Sequence, residues 1–290
     1  MGSASMFYVG GYEGRCEYFA SGPALRESFE AGDAATSGDV IISSGVLREV
    51  SNVSKSEPLS QDFHALLAMR KTFRKRSVNR KPPELSSVAL NALRSYTPPV
   101  LLSALRLEGS LNHQSVRGWT VNVVQASVLF VNLGIGGLMD ASDLDCAQIH
   151  TSVMTVQHII GMLQGCIHRF TVDDKGCVMK IVFGASLPHE DQPYRALLAA
   201  LQVRQLLSLQ GIQPSIGVAS GESLTGPVGS AVRQEFTVHG EKIILAARLM
   251  QLAAKYGGMV LCDEVMRMNR SLSFVMGVPP CMHLTMGTVA

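Results

Sequence analysis

The sequence predicts an α+β fold of the ferredoxin-like, or split βαβ, type in the second half of the chain. Three observations support this prediction. Residues 126–133 (ASVLFVNL) form a continuous apolar run with β-branched residues, which is typical of a strand covered on both faces. Residues 147–163 carry apolar side chains at helical spacing. Two further strands, 166–172 and 177–183, are joined by Asp-Asp-Lys-Gly, a good hairpin turn.

The elements that follow complete the order β-α-β-β-α-β and add a strand–helix–strand unit. Residues 193–209 are predicted to form an amphipathic helix with proline in its first turn. After this helix we predict a buried strand, a glycine-rich segment, a second strand, a helix rich in alanine and leucine, and a last strand, over 214–220, 221–229, 235–238, 242–255 and 258–262.

The beginning of the chain is predicted to hold a smaller unit. Residues 15–21 and 40–43 are predicted strands, and residues 22–31 form a short helix between them. A strand–helix–strand segment of this size is too small to bury a core of its own. It must therefore dock on the second half of the chain or belong to a longer parent.

The segment between the two halves, residues 51–118, is predicted to be a linker. Two Pro-Pro pairs interrupt it, and short helices are predicted at 86–96 and 100–107. Its basic run, residues 70–81, holds seven lysine and arginine residues and no acid. We interpret this run as a solvated tether, with a nucleic-acid contact as the alternative.

Composition excludes several classes of protein. Hydrophobic residues make up 47% and charged residues 17% of the 290, which excludes a disordered chain. Lysine and arginine number 25 against 23 acids, and a net charge of +2 excludes a globally basic nucleic-acid binder. The sequence has no apolar run near the roughly 18 residues of a membrane span, and no signal-peptide pattern. The six cysteines lack a C-x-x-C pair, so we expect reduced thiols in a soluble, cytoplasmic protein.

Residues 215–248 (SIGVASGESLTGPVGSAVRQEFTVHGEKIILAAR) contain a long, ordered series of motifs: IGVASG, GPVGS, R-x-E-[FY]-T-V-x-G and L-A-A-R. In this order and spacing they strongly resemble the signature of the class III nucleotidyl cyclases. Residues 128–133 and 174–177 resemble more narrowly the second cyclase homology domain of soluble, bicarbonate-regulated adenylyl cyclases. Residues 8–43 resemble the closing third of the first cyclase homology domain in the same proteins.

The resemblance implies that residues 1–50 end a first cyclase homology domain and that residues 119–290 form a second one. It also implies an activity, because class III cyclases convert ATP to cyclic AMP and pyrophosphate. Two divalent metals, Mg²⁺ or Mn²⁺, are held in the family by a pair of aspartates, activate the nucleophile and neutralise the phosphates. In paired domains, one domain gives the metal carboxylates, and the other gives the purine-binding residues and a transition-state cation.

The resemblance further implies roles for individual residues. Arg248 matches the arginine that stabilises charge on the α-phosphate, which suits a permanently charged guanidinium. Thr237 matches the position that recognises the adenine edge. Without the motifs, both would be interpreted as structural residues. Arg169, followed by Phe170, lies where the family has a purine-contacting lysine, so both are candidate nucleotide-binding residues. Arg15 aligns with an arginine near the activator site of bicarbonate-regulated members, with a hairpin-edge charge as the alternative.

Two positions depart from the family pattern. Ile244 stands where the family usually has an asparagine that orients the ribose, and isoleucine cannot donate a hydrogen bond. Asn132 occupies the place of the first metal aspartate. Asp173 or Asp174 lies near the second metal position, but the sequence around them also fits an ordinary turn. We therefore expect no metal site in this chain alone, with the aspartates coming from a complete first domain, in cis or in trans.

The sequence thus predicts part of an adenylate cyclase catalytic core, with ATP and a complete first cyclase homology domain as its partners. The alternative is a catalytically degenerate homology domain that binds nucleotide or activates a partner. We expect the isolated chain to be weak or inactive, whether it is a fragment or a natural short form. An RNA-binding module of the same fold is disfavoured, because the aromatic pattern for base stacking is missing, so we expect no nucleic-acid partner.

Overall fold

A computed structural model describes residues 2–70, 84–99, 101–102, 121–135, 143–173, 176–185, 187–229, 234–264 and 266. Most of the basic run, most of the helix predicted at 100–107, and Asp174 lie outside the described residues. The strands are β1 Ser5–Gly10, β2 Cys16–Ser21, β3 Ile41–Ser43, β4 Ser54–Pro58, β5 Phe63–Met69, β6 Asn122–Asn132, β7 Cys166–Asp173, β8 Gly176–Phe183, β9 Ser215–Gly229, β10 Gln234–His239 and β11 Val260–Cys262. The α-helices are α1 Pro23–Asp33, α2 Ser44–Val50, α3 Ser87–Ser95, α4 Asp143–Met162, α5 Gln192–Leu209 and α6 Glu241–Lys255.

The largest sheet lies in the second half of the chain and has the strand order β10-β9-β6-β8-β7. Its neighbouring strands pair antiparallel, and β11 adds to β9 in parallel. Helix α4 connects β6 to β7, and helix α5 connects β8 to β9. Each helix thus joins two parallel strands that have an antiparallel strand between them, which is the split βαβ arrangement used twice. The predicted ferredoxin-like α+β fold is confirmed.

Side chains of the central strand β6 alternate between two layers. Leu129 and Val131 are fully buried in the core that the sheet forms with α4 and α5. Ala126 and Val128 belong to a second buried cluster, together with Ala246 of α6. Successive side chains of a strand point to opposite faces, so helices cover both faces of β6. Because both faces of β6 are buried, nearly all of its central residues are apolar.

Helix α6 makes a very close approach to strand β9 at Gly217. A Cβ atom on Gly217 would lie 2.1 Å from the carbonyl oxygen of Ala246 and 2.3 Å from the amide nitrogen of Met250. The helix backbone can reach the strand only because glycine has no side chain. Ala246 and Met250 are buried, whereas Arg248 lies two residues from each and is exposed on the opposite face of the helix.

Strands β1 and β2 form an antiparallel hairpin that docks on helix α4. The Oε1 atom of Gln157 accepts hydrogen bonds from the backbone N–H groups of Gly11 (3.1 Å) and Tyr12 (3.2 Å), and its Nε2 atom donates to the carbonyl oxygen of Arg15 (3.0 Å). Phe19 on β2 is buried in the main core. The first predicted strand is therefore confirmed, and this part of the chain docks on the second half.

A small sheet with the order β3-β5-β4 follows the hairpin. Strands β4 and β5 fall within residues 51–118, where a linker was predicted, so the sequence analysis missed them. That prediction rested on the proline pairs and on the basic run further along the chain. Residues 63–69 (FHALLAM) instead supply a mostly apolar strand, half-buried over its first four residues, that pairs with both neighbours. The division of the chain into domains stays a prediction.

The predicted helices that fall on described residues agree with the structure to within a few residues, whereas α2 was not predicted. Helix α3 confirms the helix predicted at 86–96, and the hydroxyl of Ser86 caps it by accepting a hydrogen bond from the N–H of Ala89 at 3.2 Å. Helix α4 begins four residues before the predicted 147. None of the described helices is long and apolar enough to cross a membrane.

Strand β9 is longer than the sequence predicts. The predicted strand covers 214–220, but β9 continues through the glycine-rich residues 221–229. It pairs with β6 over most of its length and with β10 over its last six residues. These hydrogen-bonded neighbours on both sides keep the glycine-rich segment extended, although glycine weakens a strand interior.

Candidate functional site

The hairpin of β9 and β10 folds back over the face of the sheet that α6 covers. In the strand order, β10 is four positions from β7, which would separate them by about 19 Å in a flat sheet. Arg169 on β7 nevertheless forms an ion pair with Glu235 on β10. Phe236 and Val238 of β10 pack against the apolar cluster that includes α6 residues. The hairpin therefore brings β10 across the sheet, onto β7 and β8.

Three side chains of β7 and β8 hold β10 in this position. The Nη2 atom of Arg169 pairs with Oε1 of Glu235. The Nζ atom of Lys180 donates a hydrogen bond to the carbonyl oxygen of Val238 over 2.7 Å. His168 has a backbone hydrogen bond with Phe236, and their ring centroids are 6.4 Å apart. We define the β10 contact cluster as His168, Arg169, Lys180, Glu235 and Phe236.

The two cations of the β10 contact cluster differ in their surroundings. Arg169 and Lys180 are directly opposite each other in the register of β7 and β8. The side chains of Arg169 and Glu235 are 57% and 54% exposed, so their ion pair lies in reach of solvent. Lys180 is half-buried, and loss of hydration lowers the pKa of its ammonium group to about 8, with a smaller contribution from the Arg169 charge. The negative charge of the Glu235 carboxylate acts against this shift and favours a higher pKa for Lys180.

His168 is the third contact and is held neutral. Burial, followed by the nearby charges of Lys180 and Arg169, lowers the pKa of His168 to about 4. Its Nδ1 atom is buried and makes no hydrogen bond with the other residues that the structure describes. A neutral imidazole therefore lies near the two cations and the Phe236 ring, and it takes no charge near pH 7.

Thr237, the candidate for recognition of the adenine edge, lies between these contacts on β10. It follows Glu235 by two residues, so both side chains point to the same face of the strand. Its partner in the register with β9 is Gly226, which has no side chain to cover it. Thr237 is half-buried. The structure thus brings Thr237 and Arg169, two of the predicted nucleotide-binding residues, to one region of the sheet.

Phe170 lies apart from the other predicted nucleotide-binding residues. It follows Arg169 on β7 and therefore points to the opposite face of the sheet. It is 8% exposed, belongs to the core under α4 and α5, and its ring meets that of Phe19 edge-on with centroids 6.2 Å apart. Packing accounts for this residue, and a contact between Phe170 and nucleotide stays a prediction.

Arg248 and Ile244 lie one turn apart on the outer face of α6. Arg248 is exposed, and Ile244 is 57% exposed. Neither side chain is directed to the sheet, because the opposite face of α6 packs on it. A phosphate bound by the Arg248 guanidinium would therefore lie outside this domain, at a surface that a second domain can cover.

The two positions that the resemblance assigns to metal ligands lie at the ends of β6 and β7, next to the turn of the β7–β8 hairpin. Asn132 at the end of β6 is beside Gly176, and its Oδ1 accepts a hydrogen bond from the N–H of Gly134 at 2.9 Å. Asp173 is opposite Gly176 in the register. In the described part of the chain, no group of three or more His, Cys, Asp or Glu residues could hold a metal ion. One carboxylate beside an amide that is already engaged does not fit a two-metal site.

Arg15 lies on the amino-terminal hairpin, which docks on the other face of β7. Its guanidinium forms an ion pair with Glu17 at 2.9 Å and donates a hydrogen bond to the carbonyl oxygen of Ser95 at 3.3 Å. Burial raises the pKa of Glu17, and the charge of Arg15 opposes that shift. Arg15 is thus engaged in contacts within the chain, and its regulatory role stays a prediction.

The sequence analysis missed Lys180, Glu235 and His168. They come together only because the β9–β10 hairpin crosses the sheet, which no local pattern encodes. One signal was present: Lys180 interrupts the otherwise apolar strand CVMKIVF. A lysine within a strand that is covered on both faces requires a buried partner or a function.

A solved structure supports the assignment of the fold. A bacterial light-regulated adenylyl cyclase superposes on this chain with a TM-score of 0.52 at 17% identity, and the match covers 62% of this chain and 53% of that one. At this identity the match supports the fold alone. No family model matches the chain. The fold and the motifs of 215–248 together make this chain similar to a cyclase homology domain of class III.

Curated relatives agree with this similarity to the class III nucleotidyl cyclases. Human adenylate cyclase type 10 is 35% identical over 160 residues, which cover 53% of this chain and 10% of that protein. Rat adenylate cyclase type 10 is 31% identical over 179 residues, which cover 60% of this chain and 10% of that protein. The chain spans about a tenth of the length of these curated relatives.

Proposed function

We propose that this chain supplies the purine-binding and transition-state half of an adenylate cyclase site, which forms cyclic AMP and pyrophosphate from ATP. The observation that carries the proposal is the convergence of Thr237 with two cations, Arg169 and Lys180, on one face of a class III cyclase fold. Its relatives' names point to the same reaction. In this proposal the purine binds beside the β10 contact cluster.

The triphosphate is proposed to bind at a seam between this domain and a complete first cyclase homology domain. Arg248 faces outward from α6, so a guanidinium there is available to a ligand shared with a second domain. Its fixed charge would stabilise the negative charge that develops on the α-phosphate. The metal positions in this chain do not fit Mg²⁺ or Mn²⁺, so we propose that the partner domain provides that half of the site.

A second candidate function is a nucleotide-binding or regulatory homology domain without turnover. Ile244 favours it, because an exposed apolar side chain one turn from Arg248 offers no hydrogen bond to a ribose. Asn132 favours it as well, since an amide replaces a metal carboxylate. Both candidates share the same nucleotide site and differ only in whether the paired assembly forms cyclic AMP.

The replacement Arg248→Ala tests the catalytic candidate. We expect cyclic AMP formation by the chain paired with a complete first domain to fall by about 100-fold or more, because the transition state loses a charge-stabilising donor. Lys255→Ala is the matched control, since it removes a positive charge from an exposed position of the same helix. Cyclic AMP would be measured with ATP and Mn²⁺ for both variants.

Three results would separate the candidates. A loss with Arg248→Ala and not with Lys255→Ala supports the catalytic half-site. Equal turnover by both variants removes Arg248 from the reaction. ATP binding without any turnover in the paired wild type favours the regulatory domain. The unpaired chain is expected to have little or no activity, and robust turnover by it would contradict the proposal that a partner domain provides the metal half of the site.

A further inference from the structure

We propose that Lys180, and not Arg169, is the cation that donates a hydrogen bond to the purine base, and that Arg169 positions strand β10 through Glu235. This inference rests on the proposed function and identifies the base-contacting residue of that same site. It assigns Lys180 as a specificity-determining residue. The ligand is an adenine ring nitrogen, which presents a lone pair to a donor.

Arg169 is directed toward β10 by its partner on that strand. Its guanidinium pairs with the Glu235 carboxylate, and both side chains are more than half exposed. A purine bound at Arg169 would have to share the guanidinium with Glu235. Keeping the ion pair intact fixes Glu235, and with it the face of β10 that also carries Thr237.

Lys180 lies beside β10 with N–H donors that the other described residues do not use. An ammonium group carries three N–H donors. One of them is used by the carbonyl oxygen of Val238, the residue after Thr237, at 2.7 Å. That contact holds the ammonium group beside β10, and among the described residues it is the one hydrogen bond that the group makes. Because Lys180 is opposite Arg169 in the register, it occupies the same level of the sheet.

The strength of a contact between Lys180 and a base depends on how much water the ammonium group must lose. Lys180 is half-buried, so its ammonium group has lost part of its hydration, and its lowered pKa reports this loss. A donor that is already partly dehydrated gives up less water when a base binds than the exposed Arg169 would. Burial and position therefore both favour Lys180 as the donor to a purine.

The experiment is an equilibrium titration of the full chain, alone and paired with a complete first domain, with a fluorescent N-methylanthraniloyl derivative of ATP that is then displaced by unlabelled ATP. We expect Lys180→Met to weaken ATP binding by about tenfold or more, and Arg169→Met by about threefold or less. Lys255→Met is the matched control and is expected to bind as the wild type does. Thermal unfolding of each variant checks that it folds.

Two further variants keep the test decisive. Lys180→Gln retains a donor for the Val238 carbonyl without the charge, and it replaces Lys180→Met if that variant does not fold. Lys180→Arg keeps the charge and is expected to recover part of the affinity. ATP binding within twofold of wild type by Lys180→Met, or by Lys180→Gln in its place, overturns the inference, as does a tenfold loss with Arg169→Met alone. If the wild type binds no nucleotide in either form, the proposed function fails, and this inference fails with it.

Discussion

Two hairpins pack against opposite faces of strand β7, and they are held there by different forces. The β1–β2 hairpin places Phe19 against Phe170 and Phe7, with ring centroids 6.2 Å and 5.1 Å apart, in the buried core. The β9–β10 hairpin packs Phe236 and Val238 in a smaller apolar cluster and adds polar contacts with β7 and β8, including the pair of Arg169 with Glu235. One strand thus carries an apolar attachment on one face and a charged attachment on the other.

The comparison indicates a division of roles between the two faces. Burial of aromatic side chains is the larger stabilising contribution and does not depend on charge. An ion pair that is more than half exposed contributes little stability, but it orients the groups that form it. The amino-terminal hairpin is therefore expected to stabilise the domain, and the folded β9–β10 hairpin is expected to position the groups that meet a ligand.

The largest effect is expected from the apolar hairpin. Phe19→Ala should lower the free energy of unfolding by about 4 kcal/mol, because Phe19 is buried and its removal leaves a cavity next to Phe170. Tyr18→Ala, at the exposed neighbour on the same strand, should cost less than about 1 kcal/mol. Denaturant unfolding measures both. Similar losses for the two variants would mean that the hairpin does not share the core.

An intermediate effect is expected from His168 and appears only in acid. Its pKa is about 4 in the folded chain, below the ordinary 6.5, so between these values the unfolded chain binds a proton that the folded chain does not. The free energy of unfolding should therefore fall as the pH drops from 6.5 to 4, by at most about 3 kcal/mol from this group. His168→Gln should lack this part of the fall.

The comparison of wild type with His168→Gln isolates this one group from the other titrating residues. The groups that face His168 are Lys180, Arg169, His239 and the backbone of Phe236, and all of them remain in the variant. Denaturant unfolding at pH 7 and at pH 4.5 gives the difference. An equal fall in both proteins would show that His168 is protonated in the folded chain at pH 4.5.

The smallest effect is expected from Glu235. Glu235→Gln should change the free energy of unfolding by no more than about 0.5 kcal/mol, because both side chains of its ion pair are more than half exposed. Added salt should reduce even that difference. Denaturant unfolding at low and high salt checks it. A loss of several kcal/mol would mean that charge, rather than apolar packing, holds the β9–β10 hairpin on the sheet.

The sequence predicts much of this fold because its core elements have clear periodicity. The apolar run of β6 and the helical spacing of α4 result from burial, which acts on every residue of an element. Strand β5 was missed because only its first four residues are half-buried, so its apolar signal is weak. The full length of β9 was missed because its glycines are extended only through pairing with distant strands.

The candidate site was less predictable than the fold. The motifs identified Thr237, Arg169 and Arg248 by their resemblance to a family, without saying what each one touches. The partners Glu235 and Lys180 depend on a hairpin that crosses the sheet, and that crossing is a long-range event. The resemblance alone could not show whether Phe170 is a core residue or a ligand contact. The alternation of side chains along β7 places Phe170 on the core face of the sheet.

Gly217 has a consequence for the residue at the other side of α6. A methyl group at this position would collide with the helix backbone at Ala246 and Met250, and the entire helix would have to rise from the sheet. Arg248 would move outward with it by a comparable distance. The position of the Arg248 guanidinium at the surface therefore depends on the absence of a side chain at residue 217, on the opposite side of α6.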